Sequence, residues 1–593
     1  MIKSHGCGDL RAAHSGSEVT LAGWVNAHRD HGGVLFLDLR DASGVVQVVC
    51  EAEGVAAIAH QVRDEWCLLI KGTVRDRPQG TLNPKLPTGD VEVAAGVVEV
   101  LSECPPLPFP VTDEIEAEEA TRLRYRYIDL RRQPMQEKMA LRSKARKAIR
   151  DHFEEHNFIE IETPIMTRAT PEGARDFIVP SRHHRGKVFA LAQSPQLYKQ
   201  TLMVGGIERY YQLAPSFRDE DPRADRQIEF VQLDFEMAFV ERNDVLELME
   251  GLMSRMWRDC LGVEIEVPFA RIDFDDAIAR YGTDRPDIRE AAGPTVVDLS
   301  AVFAGTSFNA FGGVLSGGGA VRGLRVPGAG ADASRATLDG LIDRAKELGA
   351  KGLVWMVVEP NELRATITKF LSEGEIAGIR RELGAENGDL LLLAADEPRL
   401  TSEILGTLRV ELARSQGRIR SIADPEDWRF VWVLEMPAFE WSDEDDAWIS
   451  IGNPFYAPTP ETLPFLDSDP ASVRTQQYDL VINGTELLSG SIRMHRADMQ
   501  RKVFQILGLT DQEIEDRFGW FVEALSHGAP PHGGVGMGLD RTLMAMTGGG
   551  SLRDIIAFPK TQTGVDPLTG APAPVDPVQL RDLGLRLTEK EQT

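Results

Sequence analysis

The sequence contains few cysteines, and none of them form a closely spaced pair. The five are scattered along the chain, at Cys7, Cys50, Cys67, Cys104 and Cys260. The absence of any C-x-x-C motif argues against a disulfide framework or a thiolate zinc site and favours a reducing compartment. No apolar run approaches the ~20 residues of a membrane span. Residues 1–16 also lack the apolar core of a signal peptide. We therefore expect a cytoplasmic protein with no membrane partner.

The sequence also has fewer basic than acidic residues, and it has no Walker loop. The chain has 65 Lys and Arg against 92 Asp and Glu, for a formal net charge of −27. This excess argues only weakly against a nucleic-acid partner, because a local basic face can dominate a negative whole. No G-x-x-x-x-G-K-[ST] motif occurs, so a nucleotide would have to be held in another way. With 593 residues, the chain is long enough for several domains.

The first hundred residues are rich in β-forming runs separated by turn signals. The runs are 19–26, 34–41, 45–52, 67–75 and 91–102. Five short strands in this length predict a closed barrel of the oligonucleotide-binding type. Arg29, Phe36 and Gln47 would share one face, where an aromatic ring beside basic and amide groups suits single-stranded nucleic acid. Alternatively, Phe36 is a core aromatic and Arg29 a solvated charge.

Residue composition changes from segment to segment along the remainder of the chain. A proline-rich connector follows Cys104, an amphipathic helix is predicted over 136–157, and a strand interrupted by Pro164 follows it. A Gly- and Ala-rich stretch further on resembles an inserted α+β module. We predict an α+β multidomain chain divided into a barrel (1–104), a hinge (105–135), a larger domain in two halves (136–287 and 424–560), an insertion (288–423) and a C-terminal extension (561–593).

The stretch 217–237, FRDEDPRADRQIEFVQLDFEM, combines dense charge with the alternation of a buried strand. Buried carboxylates are costly unless cations or hydrogen-bond donors meet them. Cations lie beside apolar segments elsewhere, at Lys199, Arg218, Arg493 and Arg541. Each could belong to a structural ion pair. Together they predict a pocket for several anionic groups, namely a triphosphate, an acidic substrate or both.

Several motifs resemble those of the class II aminoacyl-tRNA synthetases. The stretch 217–236 resembles motif 2, GMGLDR (536–541) resembles motif 3, and FIEIETP (158–164) with the helix before it resembles motif 1, the dimer element. TPEGARDF (170–177) and QSPQLYKQ (193–200) resemble the bacterial-type aspartyl-tRNA synthetases. The resemblance implies an OB-type barrel, an antiparallel-sheet catalytic domain with a GAD-type insertion, and a homodimer. It also implies that L-aspartate is ligated to tRNA-Asp, with ATP as substrate and Mg²⁺ as cofactor.

The resemblance also assigns roles to individual residues. Phe230 would stack on adenine and Arg541 would cover its other face. The implied catalytic residues are Arg218, Glu220 and Arg541. The implied aspartate contacts are Glu172, Ser194, Gln196, Lys199, Arg218, Asp234 and Arg493. The implied ATP contacts are Arg218, Asp219, Glu220, Gln227, Phe230, Glu486, Gly538, Leu539, Asp540 and Arg541. The implied metal ligands are Asp479 and Glu486.

Two departures from the family pattern stand out. Gly452 and Asn453 occupy positions where the bacterial-type enzymes have a His-His pair before Pro-Phe. Leu488 and Ser489 interrupt a run that is usually glycine, so Leu488 could crowd the pocket. A catalytically altered tRNA-binding relative would fit both departures, but Arg218, Glu486 and Arg541 are all present. An amide-forming ligase of the asparagine synthetase type would lack the barrel. An asparaginyl or lysyl enzyme would not need both Lys199 and Arg493.

The resemblance also addresses which tRNA is used. The implied anticodon contacts are Arg29, His31, Phe36, Gln47, Gly80 and Asn83. His31 occupies a position that is usually leucine in strictly discriminating relatives, and Gly80 is small where a longer side chain could check the first anticodon base. This pair resembles the non-discriminating members, which use both tRNA-Asp and tRNA-Asn. Alternatively, His31 is an ordinary exposed loop residue and the enzyme is specific for tRNA-Asp.

Overall fold

The computed structural model describes residues 2–31, 34–169, 173–331, 333–360, 362–420 and 427–587. The chain divides into two compact units. One comprises Met1–Glu137 with Pro567–Thr569, and the other comprises Lys138–Asp566 with Gly570–Thr593. No helix in the described ranges is both long and apolar enough to cross a membrane.

The first unit is built around a closed barrel of five strands. Its elements are β1 (Glu18–His31), β2 (Val34–Asp41), β3 (Gly44–Cys50), α1 (Glu53–Ala59), β4 (Cys67–Asp76), β5 (Val91–Ser102), α2 (Glu119–Arg124) and α3 (Arg126–Asp129). The strand order is β1-β2-β3-β5-β4. Leu35, Leu37 and Leu39 alternate along β2 and are buried in the barrel core. The residues between them, including Phe36 and Asp38, therefore lie on the outer face.

The chain then forms the first half of a large sheet and the helices that cover it. The elements are α4 (Gln133–Glu155), β6 (Ile159–Glu160), β7 (Met166–Thr167), β8 (Ile178–Pro180), β9 (Val188–Leu191), α5 (Gln196–Val204), β10 (Arg209–Phe217), β11 (Glu229–Ala238), α6 (Arg242–Leu261), β12 (Ala270–Asp273) and α7 (Phe274–Tyr281). The predicted strand over 158–167 is two short strands, because Pro164 between them cannot donate a ladder hydrogen bond.

A separate sheet interrupts the large one in sequence. Its elements are β13 (Val297–Asp298), α8 (Asn309–Ser316), β14 (Ala320–Val326), α9 (Arg335–Glu347), β15 (Val354–Val358), β16 (Leu363–Arg364), α10 (Glu373–Leu383), β17 (Leu390–Asp396) and α11 (Pro398–Ser415). The five strands follow the order β13-β14-β17-β15-β16. They lie within the insertion predicted over 288–423, whose exact limits stay a prediction.

The rest of the chain completes the large sheet. Its elements are β18 (Phe430–Leu434), β19 (Phe439–Ser442), β20 (Ala447–Ser450), β21 (Gln477–Ile482), β22 (Thr485–Ile492), α12 (Ala497–Ile506), α13 (Asp511–Ser526), β23 (His532–Gly538), α14 (Leu539–Thr547) and α15 (Pro577–Leu583). The sheet has eight strands in the order β12-β18-β21-β22-β23-β11-β10-β6. Neighbouring strands are antiparallel except the terminal pairs β12–β18 and β10–β6, which are parallel.

Strand β11 separates the core from the candidate site. Leu233, Phe235 and Met237 lie in a hydrophobic core that also includes residues of α4 and α6. Because side chains alternate along a strand, Asp234 and Glu236 face the opposite side of the sheet. The charged residues that the sequence places among apolar ones are therefore collected on one face.

Candidate active site and nucleic-acid interface

Four buried charges form a closed network on this face of the sheet. Lys199 Nζ lies 2.9 Å from Asp234 Oδ1 and 3.3 Å from Glu236 Oε2. Arg493 donates from Nε to Glu236 Oε1 at 2.8 Å and from Nη2 to Oε2 at 3.3 Å. All four side chains are at most 3% exposed. The network pairs two cations with two carboxylates, so each buried charge has an opposite one within reach.

Glycines on the neighbouring strand make room for these carboxylates. Asp234 lies opposite Gly536 in the register of β11 and β23, and Glu236 lies opposite Gly534. A Cβ atom on Gly534 would lie 2.3 Å from Glu236 Oε2 and 2.1 Å from the carbonyl oxygen of Phe235. Any side chain at Gly534 would therefore displace the Glu236 carboxylate.

Several polar atoms at the edge of the network lack a hydrogen bond. Asp234 Oδ2, Gln196 Nε2 and Gln477 Oε1 are buried, and none has a partner among the described residues. An unsatisfied buried polar atom costs about 1–3 kcal/mol, so such atoms are usually met by a ligand or water. An acceptor at Asp234 and a donor at Gln196 are suited to the ammonium and carboxylate groups of an amino acid.

Lys199 has little capacity left for a ligand. Besides Asp234, its ammonium group donates to the carbonyl oxygen of Val535 at 3.1 Å and lies 3.4 Å from that of Phe235. With Glu236 also in reach, acceptors in the chain account for its three hydrogens. The predicted contact between Lys199 and a substrate carboxylate would require one of these bonds to be given up.

A cavity is lined by motif 2 and motif 3 residues, including Gln232 and Gly536, which lie next to the strand positions of the network. Its walls include the predicted nucleotide contacts Arg218, Glu220, Gln227, Phe230, Glu486, Gly538, Asp540 and Arg541. The guanidinium carbon of Arg218 lies 5.2 Å from the centroid of the Phe230 ring. Arg541 donates from Nη1 to the carbonyl oxygen of Glu486 at 3.2 Å. Two arginines and an aromatic ring around one cavity are suited to binding a nucleoside triphosphate.

Some predicted nucleotide contacts have structural partners instead. The Gln227 amide exchanges hydrogen bonds with the backbone of Lys560, at 2.9 and 3.3 Å. One Asp540 oxygen accepts from the backbone of Val231 at 3.1 Å, and the other pairs with Arg142. The Leu539 side chain is fully buried in the hydrophobic core, so the predicted contact with the nucleotide, which stays a prediction, would be made through its backbone.

Asp219 and Ser194 lie in loops, Asp219 after β10 and Ser194 before α5. Asp219 is linked to Arg175, both through its backbone and through its carboxylate at 3.4 Å. Ser194 Oγ accepts from the backbone N–H of Gln196 at 3.2 Å, before α5. Glu172, the predicted mobile contact to the amino acid, lies outside the described residues.

Asp479 and Glu486 form an acidic pair on β21 and β22. Burial and the neighbouring Glu486 charge raise the pKa of Asp479 to about 8. Glu486 is paired with Arg285 at 2.9 Å. Within the described ranges, no group of three or more His, Cys, Asp and Glu side chains is arranged to hold a metal ion. Two carboxylates alone suit Mg²⁺, which takes its other ligands from phosphates and water.

Leu488, which the sequence suggested could crowd the pocket, is 1% exposed and packs in the hydrophobic core while bordering the nucleotide cavity. Its neighbour Ser489 accepts from Gln477 Nε2 at 3.5 Å, and the same amide nitrogen donates to Asp479 at 3.1 Å. The two departures from the glycine run therefore supply one core side chain and one polar contact.

The barrel carries the predicted anticodon residues. In the β1–β2 register, Arg29 lies opposite Phe36, and the exposed His31 ring meets the Phe36 ring edge-on at 5.8 Å between centroids. Arg29 donates to Asp38 at 2.9 Å. Gly80 has a φ of 88° and open space around its Cα. The Asn83 side-chain oxygen accepts from the backbone of Lys85.

Gln47 is almost fully buried and donates to Glu92 at 2.9 Å, so its amide has an internal partner. Arg75 donates to the other Glu92 oxygen at 2.8 Å. Arg77 is 8% exposed, and its Nη2 atom has no acceptor within the described part of the chain. This charged edge of the barrel suits RNA bases, which are read through stacking and through hydrogen bonds to their edges.

Sequence reasoning missed two members of the site, Glu236 and Tyr456. Glu236 follows Asp234 by two residues, and that spacing alone places both carboxylates on one face of a strand. The signal was thus available in the sequence. Tyr456 lies 5.3 Å from the Arg493 guanidinium carbon, measured to its ring centroid. No local pattern indicates this contact, because the two residues are brought together by an isolated β-bridge.

Comparison with known proteins gives a consistent result over the whole chain. Residues 118–562 match the family of class II tRNA synthetases (D, K and N), and residues 19–101 match the OB-fold nucleic acid binding domain. The chain is 50% identical to a Moorella thermoacetica protein named aspartate–tRNA(Asp/Asn) ligase, covering 100% of this chain and 98% of that protein. It is 48% identical to a Salinispora arenicola protein of the same name, with 100% and 97% covered.

The fold is also that of solved synthetases. The structure of asparaginyl-tRNA synthetase from Pyrococcus horikoshii, complexed with asparaginyl-adenylate, superimposes with a TM-score of 0.60 at 20% identity. The match covers 95% of this chain and 99% of that one. With a family match over most of its length and relatives at half identity, the chain belongs to the class II tRNA synthetases of the D, K and N group.

Proposed function

We propose that this protein is an aspartate–tRNA ligase that activates L-aspartate with ATP and charges both tRNA-Asp and tRNA-Asn. The observation that carries the amino-acid assignment is Arg493, a buried arginine in a charge network whose edge has unsatisfied polar atoms. An acidic side chain suits a guanidinium whose fork can bind two carboxylate oxygens. The names of the relatives support the same assignment.

The geometry supports a reaction without an enzyme nucleophile. The aspartate α-carboxylate would attack the α-phosphorus of ATP, expelling pyrophosphate and leaving aspartyl-adenylate. A terminal ribose hydroxyl of the tRNA would then attack the acyl carbon and release AMP. Arg218 and Arg541 line the cavity that would hold the phosphates. They would act by positioning and charge stabilisation. Mg²⁺, held by Asp479 and Glu486, would neutralise phosphate charge.

Pyrophosphate exchange tests the amino-acid assignment. Aspartate should drive ATP–pyrophosphate exchange, whereas asparagine and lysine should not. An amide would turn its NH₂ donors toward the N–H donors of Arg493, a polar mismatch worth up to about 10⁴–10⁵-fold. Exchange with asparagine at a rate equal to that with aspartate would contradict the assignment.

The use of tRNA-Asn rests on His31 and Gly80. The exposed His31 ring against Phe36 offers a flat polar surface to an anticodon base, and Gly80 leaves open space. Purified tRNA-Asn should be aspartylated beside tRNA-Asp. A rate more than about 10³-fold lower, equivalent to roughly 4 kcal/mol, would contradict dual use. His31→Leu should lower aspartylation of tRNA-Asn more than that of tRNA-Asp, which serves as the internal control.

We also propose that the protein is a homodimer that works in the cytoplasm. Large apolar side chains are exposed along the short strands that follow α4, namely Ile159, Ile165, Met166, Ile178, Val188 and Phe189. A cluster of exposed apolar residues of this kind marks an interaction surface. Strand β6 is the last in the order of the large sheet, so its outer edge is open to a second copy.

A further inference from the structure

Tyr456 is held against Arg493 by the backbone. The two residues form an isolated β-bridge. On either side of it, Met494 N–H donates to the Phe455 carbonyl at 2.8 Å and Ala457 N–H donates to the Ile492 carbonyl at 2.9 Å. The loop that carries Tyr456 is therefore fixed along the end of β22, and the residue as a whole is half-buried. A side chain that is fixed in place and not fully enclosed can meet a ligand.

The Tyr456 side chain lies against Arg493. The guanidinium carbon lies 5.3 Å from the ring centroid, within the range of a cation–π interaction. Burial raises the pKa of the phenol hydroxyl, so it keeps its proton at neutral pH. The positive charge of Arg493 lowers this pKa and so opposes the effect of burial.

Gly452 gives the Tyr456 ring its space. A Cβ atom at Gly452 would lie 2.9 Å from Tyr456 Cε2 and 2.8 Å from Gln477 Oε1. Gly452 is not among the described glycines with positive φ, so its backbone does not require glycine. The glycine is needed for the ring, and the two positions are sterically linked. This pairing accounts for one departure from the family pattern noted in the sequence.

Some N–H groups of the Arg493 guanidinium are available to bind a ligand. The guanidinium has five N–H groups. Nε and Nη2 donate to Glu236, and Nη1 donates to Ser491 at 3.1 Å. Two N–H groups are left over, on a guanidinium that lies against the Tyr456 ring. We expect an acceptor bound by these groups to lie within reach of the phenol hydroxyl as well.

We propose that Tyr456 is a specificity-determining residue that acts with Arg493 to bind the side-chain carboxylate of the amino-acid substrate. The phenol O–H would donate to the carboxylate beside the N–H groups of Arg493 that Glu236 and Ser491 do not occupy, so both groups present donors to it. The amide nitrogen of asparagine would find no acceptor at this place. The inference rests on the proposed activation of aspartate and adds a residue that discriminates between acid and amide.

Tyr456→Phe tests the proposal, because it keeps the ring and removes only the hydroxyl. In pyrophosphate exchange, the KM for aspartate should rise about 10- to 100-fold, the loss expected for one hydrogen bond to a charged group. The KM for ATP should stay within about twofold of wild type, and the preference for aspartate over asparagine should fall. An unchanged aspartate KM and an unchanged preference would overturn the proposal.

A double-mutant cycle tests the link to Gly452. Gly452→Ala should raise the aspartate KM in the wild-type background, whereas in a Tyr456→Ala background it should add no further effect. Equal effects in both backgrounds would overturn the link. Thermal unfolding reports folding, and Tyr456→Phe decides the matter if Tyr456→Ala does not fold. Wild-type protein that exchanges no pyrophosphate with aspartate would instead contradict the proposed function.

Discussion

At the scale of single residues, Glu236 orients the Arg493 side chain without itself contacting a ligand. It accepts from Arg493 and lies 3.3 Å from Lys199, with its own side chain fully buried. A buried carboxylate that orients a cation in this way sets the direction in which the remaining N–H groups point. The position of Arg493 in front of a ligand therefore depends on a residue that no ligand needs to touch.

Glu236→Gln should cost both stability and substrate binding. The amide keeps the shape but removes the charge and turns a donor toward two cations, and breaking a buried pair costs about 3–5 kcal/mol. We expect a lower melting temperature and a higher KM for aspartate. Asp498→Asn makes the same chemical change in an exposed pair with Arg496 and should alter neither. A Glu236→Gln protein as stable as the Asp498→Asn control would contradict the role given to Glu236.

The sequence predicts the cations of this site better than their partners. Lys199 and Arg493 stand beside apolar segments, and Lys199 lies within the family motif QSPQLYKQ (193–200). Their internal bonds to Glu236, and the contact between Tyr456 and Arg493, depend on how distant segments align in the sheet. Residues that are 257 positions apart, such as Arg493 and Glu236, meet only after the strands between them pair. The charge pattern therefore predicted a pocket that binds anionic groups, but it did not show which charged side chains pair with each other.

At the scale of elements, β23 can pair with β11 because its glycines leave space for the β11 carboxylates. Gly534→Ala should destabilise the protein, since the new methyl group would lie 2.3 Å from Glu236 Oε2 and 2.1 Å from the Phe235 carbonyl oxygen. Gly536→Ala is a matched control on the same strand, because its nearest contact is an ordinary 3.5 Å. Thermal unfolding should show a larger loss for Gly534→Ala. Equal melting temperatures would contradict the steric argument.

The pairing of α4 with α6 includes a histidine that stays neutral in the folded protein. His152 bonds to the Leu248 carbonyl of α6 at 3.1 Å, and burial and the neighbouring His156 lower its pKa to about 4. An unfolded histidine titrates near ~6.5. Between about pH 4 and about pH 6.5, His152 binds more protons in the unfolded chain than in the folded protein. The stability contributed by neutral His152 is therefore present above about pH 6.5 and is lost as the pH falls toward 4.

His152→Gln should reduce this pH dependence, because the amide can still donate to the Leu248 carbonyl but does not titrate. The measurement is the melting temperature of both proteins from pH 7 down to 4.5. Arg255 and Glu155 also influence the His152 charge, and they are unchanged in both proteins, so the difference isolates His152. Parallel curves would contradict a buried neutral histidine.

The elements themselves were predicted with uneven success. All five barrel runs form strands, but β1 continues to His31, well beyond its predicted end at residue 26. It extends because β2 pairs with it as far as Val34, and such pairing is a tertiary effect that local composition does not encode. The helix predicted over 136–157 begins at Gln133 and ends at Glu155.

At the scale of the whole molecule, dimerisation should depend on the apolar side chains that follow α4. Wild-type protein should sediment as a dimer at micromolar concentration. Ile178→Glu places a charge on a side chain that is 62% exposed and should shift the protein toward monomer. Ile449→Glu changes an isoleucine that is 42% exposed on β20 and should leave the dimer intact. A fully active wild-type monomer would contradict the proposed assembly.

The four-charge network has a consequence for how an amino acid binds. Lys199 and Arg493 are balanced by Asp234 and Glu236, so the network carries no net charge and does not attract anions indiscriminately. An amino acid enters by exchanging hydrogen bonds, and long-range attraction contributes little. Its affinity should therefore vary little with ionic strength, whereas tRNA binding should weaken steeply as counterions compete for the phosphates. Salt would then regulate the two substrates separately.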